Sequence, residues 1–325
     1  MIKDKLFWEK YRPNTLIKES GKIKMFLLPR IEKFIKDGIK TNMIFYGSAG
    51  IGKTTLAKIL TEGTNCLKIN CSLENGIDTV RKKIDDHCTT YGLLGNKGMK
   101  TVWLEEFDGT TRQFREGLRG FIEEHSDNVR FVATANSMSK FQRDETGMAI
   151  LSRFNVINFE PLNSDESQFI RKSQLSFLKT VAKSEKIEIN DQILENIINS
   201  NFPDFRSSIQ DLQEVSIIGD YEILKEQKNS TNLELYDYIL DNDNNVGQNY
   251  YLVLDNYRDK TDVLLKLLGR PFFKYLLEKD STLAIKKGQE FIKLCKEYNA
   301  EYDQTLDPEI HLVSFITELK NIMNN

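Results

Sequence analysis

Apolar positions change their period near residue 161. Before it, short apolar runs alternate with segments of helical spacing. Asn42–Tyr46, Leu67–Asn70, Thr101–Leu104, Arg130–Ala135 and Val156–Phe159 have the length and composition of buried strands. Between them, segments such as Thr54–Leu60 and Gln113–His125 repeat their apolar residues at three and four positions, as an amphipathic helix does. Strands alternating with helices predict a parallel sheet covered by helices on both faces. After Pro161 the strand signal stops. Ser164–Lys183, Asp191–Ser200 and Asp204–Ile218 read as helices, and so do Leu233–Leu240, Asp262–Leu277, Leu283–Tyr298 and Pro308–Met323. The polar stretch Glu226–Asn232 between the two sets reads as a linker. The expected organisation is an α/β domain over 1–160, a small helical domain over 161–228 and an all-helical domain over 229–325.

Composition narrows this little, and charge adds one fact. At 325 residues the chain suits two or three domains, and 40% hydrophobic residues are enough to build their cores. No apolar run is long enough to span a bilayer, and the charged start of the chain does not read as a signal peptide. The expected compartment is the cytoplasm, of a cell or of an infected host. Four cysteines and three histidines lack zinc-ligand spacing, so the thiols read as reduced and packed. The net charge of −3 hides an asymmetry. Residues 1–160 hold 26 Lys and Arg against 20 Asp and Glu, whereas residues 161–325 hold 19 against 28. A basic first half suits polyanions such as nucleotide or nucleic acid.

The strongest chemical signal is Gly47, Ser48, Ala49, Gly50, Ile51, Gly52, Lys53 and Thr54, a complete G-x-x-x-x-G-K-T. It follows a predicted strand and opens a predicted helix, the context this motif requires. The glycines let backbone N–H groups turn toward phosphate, and the helix N-terminus adds partial positive charge. Lys53 is expected to meet the β- and γ-phosphates of ATP, and Thr54 to coordinate Mg²⁺; Thr55 belongs to the same cradle. About 50 residues on, Thr101–Leu104 ends in Glu105 and Glu106. Paired carboxylates at a strand end suit metal holding by Glu105 and activation of water by Glu106.

Further segments, in order, resemble replication factor C small subunits of DNA sliding-clamp loaders, and most closely the T-even-type phage clamp-loader large subunit. They are Trp8-Glu-Lys-Tyr-Arg-Pro13, Asn70-Cys-Ser, Gly76-Ile-Asp-Thr-Val-Arg81, Thr134-Ala-Asn136, Leu151-Ser-Arg153-Phe and Asn201-Phe-Pro-Asp-Phe-Arg206. The resemblance implies an α/β P-loop AAA+ domain followed by a helical lid and an all-helical collar through which subunits oligomerise. It implies that Tyr11 and Arg12 lie by the nucleotide, that Asn136 is sensor 1, and that Arg206 reaches the nucleotide from the lid. Arg153 would be an arginine finger acting on a neighbour's ATP, and Arg119 would couple adjacent subunits. Taken singly, Asn136 also suits a turn, Arg153 a salt bridge and Arg206 a local cap. The chain departs from the family where Glu105 replaces Asp, Phe154 replaces Cys and Arg115 replaces a DNA-sensing glutamine.

Helix N-termini bearing cations suit phosphates without reading bases. Arg81, Lys82, Thr110, Arg112 and Arg115 are the candidate DNA contacts, and solvated helix faces are the plain alternative. Tyr91 and Leu94 either anchor on a clamp or lie buried beneath the sheet. The implied partners are further copies of the chain, a distinct small clamp-loader subunit, a ring-shaped clamp and primer–template DNA. Two other functions compete: a helicase loader or branch-migration motor, and a structural subunit that binds ATP without hydrolysing it.

Overall fold

The computed structural model describes residues 6–74, 76–89, 99–142, 145–241, 245–257, 261–302, 305 and 307–324. The chain divides into two units, Met1–Asp220 and Tyr221–Asn325. The first opens with the short helices α1 (Phe7–Lys10) and α2 (Pro29–Ile35). There follow β1 (Met43–Tyr46), α3 (Lys53–Thr61), β2 (Asn65–Asn70), α4 (Ile77–Thr89), β3 (Lys100–Glu105), a 3-10 turn (Phe107–Gly109) and α5 (Arg112–Glu124). Then come β4 (Val129–Ala135), α6 (Ser139–Gln142), α7 (Glu145–Leu151) and β5 (Asn155–Asn158). The unit closes with α8 (Ser164–Glu185), α9 (Asp191–Asn201) and α10 (Phe205–Ile218).

All the strand pairs are parallel, in the order β2-β3-β4-β1-β5. The five strands match the five apolar runs within a few residues. Alternation along β1 shows why those runs are continuous. Ile44 packs into the core on one face with Val102, Leu104 and Phe114, while Phe45 packs on the other with Leu56, Trp103 and Ile157. Both side chains are fully buried. A strand buried on both faces has no polar position to spare.

Four described helices of the first unit begin on side-chain caps: Thr111 for α5, Asn163 for α8, Asn190 for α9 and Asp204 for α10. Each side-chain oxygen accepts an N–H three residues on, satisfying a donor the helix leaves open. α10 ends at Gly219, whose φ of 81° is the left-handed closure glycine makes cheaply. That glycine marks the end of the first unit.

The second unit holds α11 (Tyr221–Leu240), α12 (Val246–Tyr257), α13 (Thr261–Leu267), α14 (Arg270–Lys279), α15 (Ser281–Glu301) and α16 (Pro308–Asn324). Its core centres on Leu264, Leu268, Phe272, Phe315 and Ile316. Two expectations are corrected here. The linker expected over Glu226–Asn232 is helical, within α11. That stretch contains neither Gly nor Pro, and Glu, Gln and Lys are good helix formers, so polarity alone does not break it. The single helix expected over Asp262–Leu277 is two, because Gly269 and Pro271 interrupt it. α12 was not foreseen.

Phe107 ties the Glu105–Glu106 strand end to the layer below. It is fully buried, stacks on Phe141 at 5.0 Å and tilts against Phe154 at 6.1 Å. Phe107→Ala is expected to destabilise the first unit by about 3–5 kcal/mol, the usual cost of emptying a buried phenylalanine site. Denaturant unfolding followed by tryptophan fluorescence reads this, since both tryptophans, Trp8 and Trp103, lie in that unit.

Candidate nucleotide site

The phosphate loop leaves β1 at the carboxyl end of the sheet and enters α3 at Lys53. Ligands bind at this end in open parallel sheets. Gly52 holds the turn into the helix at φ 99°. Gly50 has no room for a side chain: a Cβ would stand 1.7 Å from Asp204 Oδ1. The N–H of Phe205 donates to the Gly50 carbonyl at 3.2 Å, so the start of α10 rests directly on the loop.

Lys53 is buried to 6% exposure, and its Nζ donates to the carbonyls of Gly47 and Ser48, both at 2.6 Å. Burial pushes its pKa down to about 8 and Arg206 pushes the same way, against Asp108, Glu160 and Asp204. Trp8, Arg12, Phe26, Phe177, Phe205 and Arg206 face the loop across about 780 Å³ of solvent-connected space. Apolar walls with a few convergent cations are the usual make-up of a small-molecule site. Arg12 Nε donates to Thr55 Oγ1 at 3.2 Å, and the Arg206 guanidinium lies 5.3 Å from the Trp8 ring centroid. These residues fit a nucleoside triphosphate: apolar walls for a base, a glycine cradle and three cations for phosphates.

Tyr11 is placed differently. Its hydroxyl donates to Glu185 at the end of α8, at 2.5 Å, so it fastens the N-terminal segment to the helical layer and does not line the cavity. Trp8, Phe177 and Phe205 line the cavity without having been singled out as site residues. Apolar residues carry no chemical signature at the level of sequence, and only packing brings these three together.

The carboxylates lie beside the loop. β4 pairs with β1 so that Ala135 stands opposite Tyr46, and Asn136 therefore leaves the sheet next to Gly47. β3 lies on the other side of β4, with Glu105 at its end. Glu105 is ion-paired to Lys68 at 2.7 Å. Glu106 is exposed and sits in the left-handed region at φ 54°, a conformation costing of order 1–3 kcal/mol in a non-glycine residue. Asp108, which the sequence reading passed over, accepts the N–H groups of Asn136 and Ser137 at 3.1 and 3.3 Å. It thereby joins the ends of β3 and β4. Thr54 and Glu105 are the oxygen donors suited to Mg²⁺, a hard cation. No preformed cluster of three His, Cys, Asp or Glu exists among the described residues.

Arg153 lies past the end of α7, half-buried, on the side of the sheet carrying α5. Its Nε donates to Glu123 Oε1 at 3.1 Å, Nη2 reaches the same oxygen, and Nη1 donates to the Ala149 carbonyl. Arg119 Nε is 4.0 Å from that oxygen. Glu123 itself is exposed.

Two candidate DNA contacts are corrected. Thr110 is buried at 6% and its hydroxyl donates to the Phe107 carbonyl at 2.7 Å. Arg115 is buried at 5%, donates to the Thr110 carbonyl at 2.8 Å and lies over the Phe141 ring. Neither side chain presents itself to a polyanion in this conformation. Arg81 and Lys82 are exposed on α4, and Arg112 is exposed and paired with Glu116 at 2.9 Å. Tyr91 and Leu94 fall outside the described residues.

Residues 43–162 match the family model described as "ATPase family associated with various cellular activities (AAA)". They form an AAA domain. The chain is 32% identical over 218 residues to replication factor C small subunit 2 of Pyrobaculum islandicum, covering 64% of this chain and 63% of that protein. It is 33% identical over 228 residues to the replication factor C small subunit of Staphylothermus marinus, covering 67% and 64%. It thus spans a little under two thirds of these relatives. A solved variant of RuvB from Thermotoga maritima superposes with a TM-score of 0.50 over 71% of this chain and 78% of that one, at 16% identity. That likeness concerns the fold alone. Among the described residues no helix is long and apolar enough to cross a membrane.

The buried ammonium is expected to make nucleotide binding pH-dependent. Phosphate favours the charged form of Lys53, so above about pH 8 binding takes up a proton and weakens. Titration calorimetry with a slowly hydrolysed ATP analogue should give a constant affinity below about pH 7 and a decline approaching tenfold per pH unit above pH 8. A flat profile to pH 9.5 contradicts the placement of Lys53.

Proposed function

We propose that this chain is an ATPase subunit of a DNA sliding-clamp loader, akin to replication factor C small subunits and to the T-even-type phage large subunit. In this reading ATP binding assembles subunits into a spiral that opens a ring-shaped clamp and grips primer–template DNA. Hydrolysis then releases the clamp on DNA. The observation that carries the reading is the convergence of the Lys53 loop, Glu106 and Asn136 at adjoining strand ends, with Arg153 well away from them beside α5. The relatives named replication factor C small subunit support the choice of system.

The reaction needs positioned charge more than covalent chemistry. Mg²⁺-bound ATP supplies the electrophilic phosphorus and a metal that neutralises developing charge. Lys53 holds β- and γ-oxygens, and Thr54 and Glu105 orient the metal. Glu106 draws a proton from the attacking water, and Asn136 fixes that water's direction. Arg206 closes from the helical layer and senses the phosphates. Arg153 completes the charge on a neighbour's nucleotide once subunits assemble. Its present partner, Glu123, is an exposed carboxylate, so the ion pair is weak and exchangeable. Arg119, beside the same carboxylate, couples subunits in this reading. Arg81, Lys82 and Arg112 remain as candidate phosphate contacts, which makes DNA binding weaken steeply with salt.

The likeness to RuvB keeps a branch-migration motor or helicase loader in view as a fold relative. A winged helix is the expected DNA module of such a motor. The described residues of Tyr221–Asn325 are helical without a strand, which supports a collar instead.

The chain alone should hydrolyse ATP slowly, and the cognate clamp, partner subunit and primed DNA should stimulate it. Glu106→Gln and Arg153→Ala should each lower stimulated kcat by about 10²-fold or more while ATP still binds. Stimulated turnover that survives Glu106→Gln removes that residue as the catalytic carboxylate. Loss of ATP binding in Arg153→Ala assigns Arg153 a structural role.

A further inference from the structure

Glu160 stands two residues beyond β5, the strand that pairs with β1, and so at the phosphate-loop end of the sheet. Its backbone is held from two sides. Its N–H donates to Asn158 Oδ1 at 2.9 Å, and its carbonyl accepts from Arg30 Nη2 at 2.7 Å. Arg30 is in turn bound to Glu166 at 2.9 Å and to the Asn158 carbonyl. From this fixed backbone the carboxylate reaches the loop. Glu160 Oε1 accepts the N–H of Ser48 and lies 3.3 Å from where a Cβ on Gly47 would stand. The carbonyl of the same Ser48 accepts from Lys53 Nζ at 2.6 Å. One residue of the loop thus faces a fixed carboxylate through its N–H and the phosphate-binding ammonium through its carbonyl.

Three carboxylates act on Lys53: Asp108, Glu160 and Asp204, with Arg206 opposing them. Asp204 is committed to Ser207 through both its oxygens, at 3.0 and 2.9 Å. Asp108 is committed to Asn136 and Ser137. Glu160 is the one whose carboxylate accepts an N–H of the loop. The Lys53 end of such a loop is where β- and γ-oxygens sit. A fixed negative charge there competes for the same N–H and ammonium and repels the added charge of a third phosphate.

We propose that Glu160 is a specificity-determining residue of the nucleotide site: its carboxylate competes with the terminal phosphate for the Ser48 N–H and the Lys53 ammonium, and so lowers the preference for triphosphate over diphosphate. This rests on the nucleotide-site reading and goes beyond it. A subunit that discriminates weakly by itself leaves discrimination to a charge supplied on assembly, the role given above to Arg153.

The test titrates fluorescent ATP and ADP analogues with Mg²⁺ into the full-length wild-type chain, Glu160→Gln and Glu160→Ala. Glutamine keeps the acceptor for Ser48 and removes only the charge, whereas alanine removes both. Each variant should bind the triphosphate about 5- to 10-fold more tightly and the diphosphate less than about 2-fold more tightly, as loss of one nearby charge dictates in a solvent-rich site. Thermal melts check folding, and the isosteric glutamine variant decides. An unchanged ratio of the two Kd values, an equal gain for both nucleotides, or weaker triphosphate binding overturns the proposal. A wild-type chain that binds neither nucleotide overturns the nucleotide-site reading itself.

Discussion

A lysine ammonium withdrawn from water costs free energy unless other groups replace its hydration. Lys53 meets that demand with two loop carbonyls and three nearby carboxylates. The geometry holds because β1 is buried on both faces and delivers the loop at a fixed height above the sheet. The remaining parts of the site are arranged relative to this cation. Asn136 and Glu105 come to it on neighbouring strands, and Asp108 fastens those two strand ends together. Arg12 comes to it across Thr55, and Arg206 comes from α10.

The helical layer of the first unit is bound to this site by direct contacts. α10 begins on Asp204, which caps its own helix while leaning against Gly50. The segment before Pro13 is fastened to the same layer, by Tyr11 and Lys10 to Glu185 and by Phe7 N–H to Gln213. Any nucleotide-driven movement of α10 must therefore carry the N-terminal segment and Arg206 with it. Arg153 belongs to the opposite logic. Its carboxylate partner, Glu123, is exposed, and an ion pair of this kind is worth little.

The parallel sheet and its strands were legible because a doubly buried strand leaves a continuous apolar run, as Asn42–Tyr46 and Arg130–Ala135 show. The strand and helix that flank Gly47–Thr54 were legible because the motif's glycines and Lys53 mark where an apolar run ends and a helical period begins. What failed has equally definite causes. Glu226–Asn232 is polar throughout, but polarity alone is not a break and nothing in the stretch stops a helix. Gly269 and Pro271 break the apolar period that runs on through Asp262–Leu277. Arg115 and Thr110 looked like phosphate ligands from their charge or polarity and their position near a helix start. Folding turned both inward, onto Phe141 and the Phe107 carbonyl. Trp8 and Phe205 lie in quoted motifs, but that they and Phe177 form one cavity wall is a property of three distant segments meeting.

The most direct measurement of the central claim is calorimetric titration of a slowly hydrolysed ATP analogue, with Mg²⁺, into wild-type protein and Lys53→Ala. The account predicts one site per chain in the wild type and a loss of affinity of about 100-fold or more in the variant, with its melting temperature preserved, since a charge-assisted phosphate contact in a shielded site is worth several kcal/mol. Equal affinity of the two proteins contradicts it.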